Sequence, residues 1–226
     1  MIRRWPSLIL PCALALAVQA CGYGLFQTAR TVPRGEYRFM VAGAFQGNEL
    51  IEERGVTPFN FAPQVDMRIG VADRVDLGVG LLLGPGLLVD AKANVMPPGH
   101  DLAVSISAGL GGAWDMGQVS AWLLHVPVNV IASYTFGGKL TPYAAVGYGF
   151  FWIFGRQLSN PDPNAAYVAR GGWGDGVMRL TAGLEWRIRG RFAVLVEYSY
   201  LPAVVDDPGD NFAFVDNHVA GFGARF

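Results

Sequence analysis

The stretch MRLTAGLEWRI, residues 178–188, sorts itself into two sets. Met178, Leu180, Ala182, Leu184, Trp186 and Ile188 fall on one parity, and Arg179, Thr181, Gly183, Glu185 and Arg187 on the other. Strict alternation at a period of two is the mark of a strand with two unlike faces. Here one face is wholly apolar and the other carries three charges, which is more contrast than an ordinary half-buried strand needs. The deciding question is which solvent each face meets.

The pattern recurs along the chain. It is found in EYRFMVAGAF from Glu36, VDMRIGV from Val65, VDLGVGLLL from Val75, LLVDAKANV from Leu87, LAVSISAGL from Leu102 and FAVLVEYSY from Phe192. With the segments at 121–134, 141–154 and 218–226, the sequence predicts about ten strands, each near the roughly 9–11 residues that cross a bilayer at a tilt. The connections alternate as well. ADR at 72–74, PPGHD at 97–101, FGGK at 136–139 and RGR at 189–191 are short and fall on the end that carries both chain termini. Longer stretches at 47–60, 155–176 and 202–217 fall on the other end, with GPG at 84–86 a short exception. Short turns at one rim and long loops at the other are the habit of up-and-down membrane barrels.

Alternation alone also suits a soluble barrel with an apolar inside. Three features turn the sheet outward. None of the apolar faces carries Lys, Arg, Asp or Glu, and a cation there would cost about 2–4 kcal/mol at the midplane of a bilayer. The opposite faces carry Arg38, Asp66, Arg68, Asp76, Asp90, Lys92, Arg179, Glu185, Arg187, Glu197 and Arg225, a set of balanced sign expected of a lumen in which each ion needs a partner. Aromatic residues gather near strand ends at Tyr37, Trp114, Trp122, Tyr134, Tyr143, Trp186, Phe192, Tyr200 and Phe226, as in the girdles of membrane barrels. The fold class expected is all-β, an up-and-down antiparallel transmembrane β-barrel of about ten strands.

Two segments strain the pattern. WLLHVPVNVIA, 122–132, is too short for a spanning helix and holds Pro127 and Asn129. As a strand it turns His125, Pro127 and Asn129 inward, and the proline predicts a bulge because a closed barrel has no edge to absorb a missing N–H. LTPYAAVGYGFFWIF, from Leu140, is apolar or glycine on both faces, so one side is expected to meet a plug or an apolar ligand.

The closing residues HVAGFGARF place Ala220, Phe222, Ala224 and Phe226 on one parity. They resemble the C-terminal signal of bacterial outer-membrane proteins, a final Phe preceded by alternating apolar residues. On these residues the chain resembles a small bacterial outer-membrane β-barrel protein, of no particular subfamily. The resemblance implies recognition by the outer-membrane assembly machinery, a bacterial outer-membrane location and outer-membrane lipid as the partner of the apolar face. At the other end, Arg3 and Arg4, the apolar run from Leu8 to Val18 and small residues before Cys21 read as an export signal over residues 1–20. Val18-Gln19-Ala20-Cys21 looks like the lipobox of bacterial lipoproteins, which implies a lipid on Cys21; ordinary cleavage after Ala20 is the alternative. The expected division is a signal peptide at 1–20, a tether at 21–34 and the barrel at 35–226.

Net charge is −1, without a basic stripe, which excludes a nucleic-acid partner on electrostatic grounds. Both cysteines, Cys12 and Cys21, lie in or beside the leader, so no disulfide framework serves the folded part. No Cys/His spacing suits a metal, and no cofactor is expected. About ten strands enclose a space that side chains can fill, whereas aqueous channels need about 16. The function expected is therefore non-enzymatic: a structural, adhesion or surface-interaction role through extracellular loops 47–60, 155–176 and 202–217, with an extracellular partner unknown. A small transporter or apolar-ligand carrier built on 140–154, through Tyr148 and Phe150, is the alternative. A rim hydrolase drawing on Asp206, Asp207, Asp210 and His218, or on Asp115 and His125, is the second alternative.

Overall fold

The computed structural model describes residues 24–48, 59–82, 86–97, 99–116, 119–155, 176–207 and 211–226. Side chains are described within 24–45, 61–82, 86–97, 99–112, 124–150, 177–202 and 218–226. Ten strands follow one another: β1 (Tyr37–Asn48), β2 (Phe59–Ala72), β3 (Val75–Leu82), β4 (Gly86–Asn94), β5 (Leu102–Met116), β6 (Val119–Tyr134), β7 (Leu140–Gly155), β8 (Gly176–Arg189), β9 (Phe192–Asp207) and β10 (Asn211–Arg225). Each pairs antiparallel with its chain neighbours, and β10 returns to pair with β1, so the sheet closes into a barrel. At the seam Met40 faces Arg225, and Phe39 and Phe226 exchange backbone hydrogen bonds of 3.2 and 2.8 Å. The terminal residue thus completes the ladder, and closure leaves no strand edge to satisfy elsewhere.

The two parities separate as the alternation requires. On the outside Val130 is 49% exposed, Val196 55% and Phe222 57%. On the inside Asp76, Lys92, Ser107, Glu185, Glu197 and Arg225 are buried. Among the described residues no helix is long and apolar enough to cross a membrane. The outward belt of Val, Leu, Ile and aromatic side chains instead suits strands crossing a bilayer, where a closed sheet bonds its own backbone groups.

Three local expectations change. Residues 202–217 do not form a long loop: β9 and β10 keep their register from Pro202↔Asp216 out to Asp207↔Asn211, leaving residues 208–210 between them. Backbone pairing runs from the body of the hairpin out to Asp207, so the strands take up most of the residues expected to form the loop. Pro127 is not a bulge. It sits opposite Gly149 in an unbroken β6–β7 ladder, and across β5 the register is the same on either side of it. The register shift on that seam lies between Trp114 and Met116. Proline removes one donor, and the ladder omits pairing there without slipping.

The third change is the largest. Gly24 to Pro33, within the stretch read as a tether, runs inside the barrel. Phe26, Thr28, Ala29 and Val32 are each at most 3% exposed. The strap enters where Arg34 bridges Gly70 in parallel and Gly35 donates to the Gly70 carbonyl at 2.8 Å, beside the β2–β3 turn. From this turn end it rises to Gly24, which lies level with Gln64 in the middle of β2.

Candidate functional site: the occupied lumen

A strap without regular structure must still satisfy its backbone groups, and the inward polar and charged side chains of the wall do so. Gly24 and Gln64 bond reciprocally, the glycine N–H donating at 3.0 Å and the glutamine amide returning a bond to the glycine carbonyl at 3.2 Å. The N–H groups of Leu25 and Phe26 both donate to the Glu197 carboxylate, the first at 2.6 Å. Phe26 takes the left-handed conformation, φ 38°, at the point where the two successive N–H groups meet one anion. Ala29 donates to Ser133 Oγ at 3.2 Å, and Val32 to Asp76 Oδ2 at 2.9 Å. Lys92 caps the carbonyls of Thr28 and Arg30 at 3.0 and 3.1 Å. Arg30 reaches Thr135 Oγ1 and the carbonyls of His100 and Asp101, tying the strap to the turns at that end.

The same residues pair with one another. Arg68 forks between Asp76 and Asp90 with four bonds of 2.6–3.0 Å. It reaches from β2 to β4 across β3, which is possible because β3 presents Gly78 there: a Cβ at that position would stand 2.6 Å from Arg68 Nη1 and 2.3 Å from Asp90 Oδ1. Lys92 is 3.6 Å from Asp76. Glu197 also accepts from Tyr143 Oη at 2.8 Å and from Arg179 at 3.3 Å, and Arg225 pairs with Glu185. Asp76 and Glu197 therefore bind the wall and the strap at once.

The strap's apolar side finds two nests of small and aliphatic residues. Phe26 lies with Met40, Ala42, Ala44, Tyr143, Leu195, Leu201 and Val219, and Ala29 with Ala103, Ile131 and Ala145. Gly221 makes room for the Phe26 ring, which would stand 2.5 Å from a Cβ there. Tyr143 is thus not a girdle residue. It is 4% exposed and points inward, because the inward parity of β7 is the odd one: Thr141, Tyr143, Ala145, Gly147 and Gly149 are all buried. The plug expected against the two-sided strand 140–154 is the chain's own strap. Tyr148 and Phe150, named as carriers of an apolar ligand, lie on the outer parity, where their rings meet at 4.9 Å.

Beside the strap the lumen keeps a cavity of about 90 Å³. Arg38, Arg68, Lys92, Arg179 and Arg225 line it, against Asp66 and Asp90, and His125, Pro127 and Asn129 line it from β6.

The remaining candidates divide. Tyr37, Tyr134, Trp186 and Phe226 are exposed on the outer face, Phe192 rests on Phe226 with centroids 5.4 Å apart, and Tyr200 lies 5.5 Å from His218. Ala220, Phe222, Ala224 and Phe226 share that outward parity. Arg187 is half-buried on the inward one. The rim-hydrolase candidates do not converge among the described residues: His218 is on the outer face, bonded to Tyr198 Oη at 2.5 Å, while His125 is in the lumen. No metal-holding cluster of His, Cys, Asp or Glu occurs among the described residues. Cys21 and the side chains of Trp114, Trp122, Asp115, Asp206, Asp207 and Asp210 lie outside the described residues. The strap is what sequence reasoning missed. The one signal for it was the doubly apolar strand at 140–154, which pointed to an occupant without naming it.

A closed, all-antiparallel barrel with an apolar outer belt and a charged interior is the fold of bacterial outer-membrane β-barrels. Solved structures of that class share it. An outer-membrane channel from Pseudomonas putida F1 is similar over 90% of this chain and 99% of its own, with a TM-score of 0.51 and 11% identity. The outer-membrane protease OmpT from Escherichia coli covers 88% and 99% at a TM-score of 0.48 and 8% identity. Neisserial surface protein A covers 84% and 94% at 0.40 and 9%. No family model matches the sequence, and no curated protein matches it.

Proposed function

We propose that this is a self-plugged, non-enzymatic outer-membrane barrel whose work is done at its extracellular surface. The observation that carries this reading is the occupied lumen: the strap and the ion pairs together take up much of the interior that a channel would need. In this reading the turn end faces the periplasm, and the segments 49–58 and 156–175, with the β9–β10 hairpin, form the outer surface for adhesion or partner binding. The C-terminal residues would serve as the assembly signal. The test is conductance in planar bilayers with the purified full chain. A closed barrel is expected, and a steady open current from the parent protein would overturn the reading.

A second reading, passage of a small solute, is favoured by the cavity beside the strap. It requires the strap to leave. Replacing residues 24–32 with a Gly/Ser sequence should then open a current that the parent lacks. A lipid on Cys21 remains a separate proposal, tested by fatty-acid labelling of the parent and of Cys21→Ser.

A further inference from the structure

Three guanidinium groups share one stretch of the lumen wall at the turn end. Arg38 faces Arg68 directly across the β1–β2 ladder. Arg225 lies diagonally on the other side, opposite Met40, the next inward residue along β1. Like charges directly opposite one another destabilise a sheet unless something offsets them. Arg68 has Asp76 and Asp90, and Arg225 has Glu185. Arg38 makes no hydrogen bond or ion pair with any described residue. Arg225 is only 6% exposed, and its Nε, which meets no acceptor, is sealed from the cavity as well, so Arg225 adds charge to the wall and not a contact. A buried N–H of a charged group left without a partner is costly. Both arginines line the cavity, and of its five cations Arg68, Lys92, Arg179 and Arg225 have carboxylate partners, which leaves Arg38 as the one to be offset.

We propose that this chamber is a binding site for a small oxyanion, held by the Arg38 guanidinium, with Arg68 and Arg225 as the flanking positive charges. A planar guanidinium matches the two oxygens of a carboxylate or phosphate group, and an anion there would separate three like charges. The volume sets the size of the ligand. About 90 Å³ holds several water-sized occupants and falls well below the ~300–1,000 Å³ of sites for drug-sized ligands. Inorganic phosphate or a short carboxylate fits. The site goes beyond the surface reading above and does not depend on it.

The experiment is calorimetric titration of the refolded full-length protein with inorganic phosphate and, in a second arm, with acetate. The parent should bind at least one of them saturably. Arg38→Gln should weaken that affinity about tenfold or more, the scale of a lost charged hydrogen bond. Because Arg38 bonds to no described residue, this variant should assemble and keep the parent's heat-modifiable migration. If it does not assemble, Arg38→Lys, which keeps the charge and loses the fork, should bind severalfold more weakly. Thermal midpoints give an independent readout. Phosphate should raise that of the parent more than that of the variant at equal ionic strength, since general salt stabilisation acts on both alike. No saturable binding in either arm, or equal affinity in parent and variant, would overturn the site.

Discussion

The outer and inner faces of the same strands are held by different rules. On β8 the outward set Leu180, Leu184, Trp186 and Ile188 lies exposed, and nothing more than apolarity is asked of it. One residue away on either side, Thr181 and Glu185 are buried, and each has a named partner: Thr181 bonds Ser199 at 2.8 Å, and Glu185 holds Arg225. The outer face answers to a solvent, so many residues serve at each position. The inner face answers to particular atoms, several of which belong to the strap. Damage outside should therefore scale with depth in the bilayer, and damage inside with the number of partners left behind.

The largest effect should come from Glu197→Ala. It would orphan the N–H groups of Leu25 and Phe26 and the Tyr143 hydroxyl together, and take from Arg179 its carboxylate partner. Removing one partner of a buried charge costs about 3–5 kcal/mol. Urea unfolding of the barrel in lipid measures it, and a loss below about 1 kcal/mol would show that the lumen network does not hold the strap. Next is the outer face: Leu180→Arg should cost about 2–4 kcal/mol if it sits near the midplane, whereas Ile188→Arg, beside the β8–β9 turn, should cost about 0–1 kcal/mol. Equal costs at the two depths would break the comparison, because they would mean the belt does not face a bilayer.

Gly221→Val tests the seat of the strap without touching a charge. Its Cβ would stand 2.5 Å from the Phe26 ring and 2.7 Å from the Gly43 carbonyl, so overpacking of about 1–3 kcal/mol is expected. Limited proteolysis should cut the strap faster in the variant; unchanged cleavage would place Phe26 elsewhere in solution. The smallest effect belongs to Glu36→Gln at the turn-end rim. Its ion pair with Arg191 spans 3.1 Å, but both side chains are largely exposed, so less than about 1 kcal/mol should be lost in the same urea experiment.

The strands and the sidedness of the sheet could be read along the chain because their signal is local. Successive side chains on a strand point to opposite faces, and a barrel in lipid makes those faces chemically unlike. Leu180 beside Arg179 already says so. Tyr143 shows where local reading fails: with apolar or glycine residues on both parities of β7, neither face is marked, and only the neighbours decide that the ring turns in toward Glu197. The β9–β10 hairpin fails in the same way, since Pro, Gly and Asp in DDPGD carry turn chemistry whether the turn takes three residues or sixteen.

The residues 24–33 lie at the far limit of such reading. They have no period, because they belong to no sheet, and their partners stand 40 positions away at Gln64, 104 at Ser133 and 171 at Glu197. By itself the sequence determined a barrel with its apolar face outward, since periodicity and charge distribution act between adjacent residues. What fills the barrel was decided only by closure of the sheet, which brings inward polar and charged side chains from β2, β3, β4, β6 and β9 around one axis and leaves the strap's N–H and C=O groups as their partners.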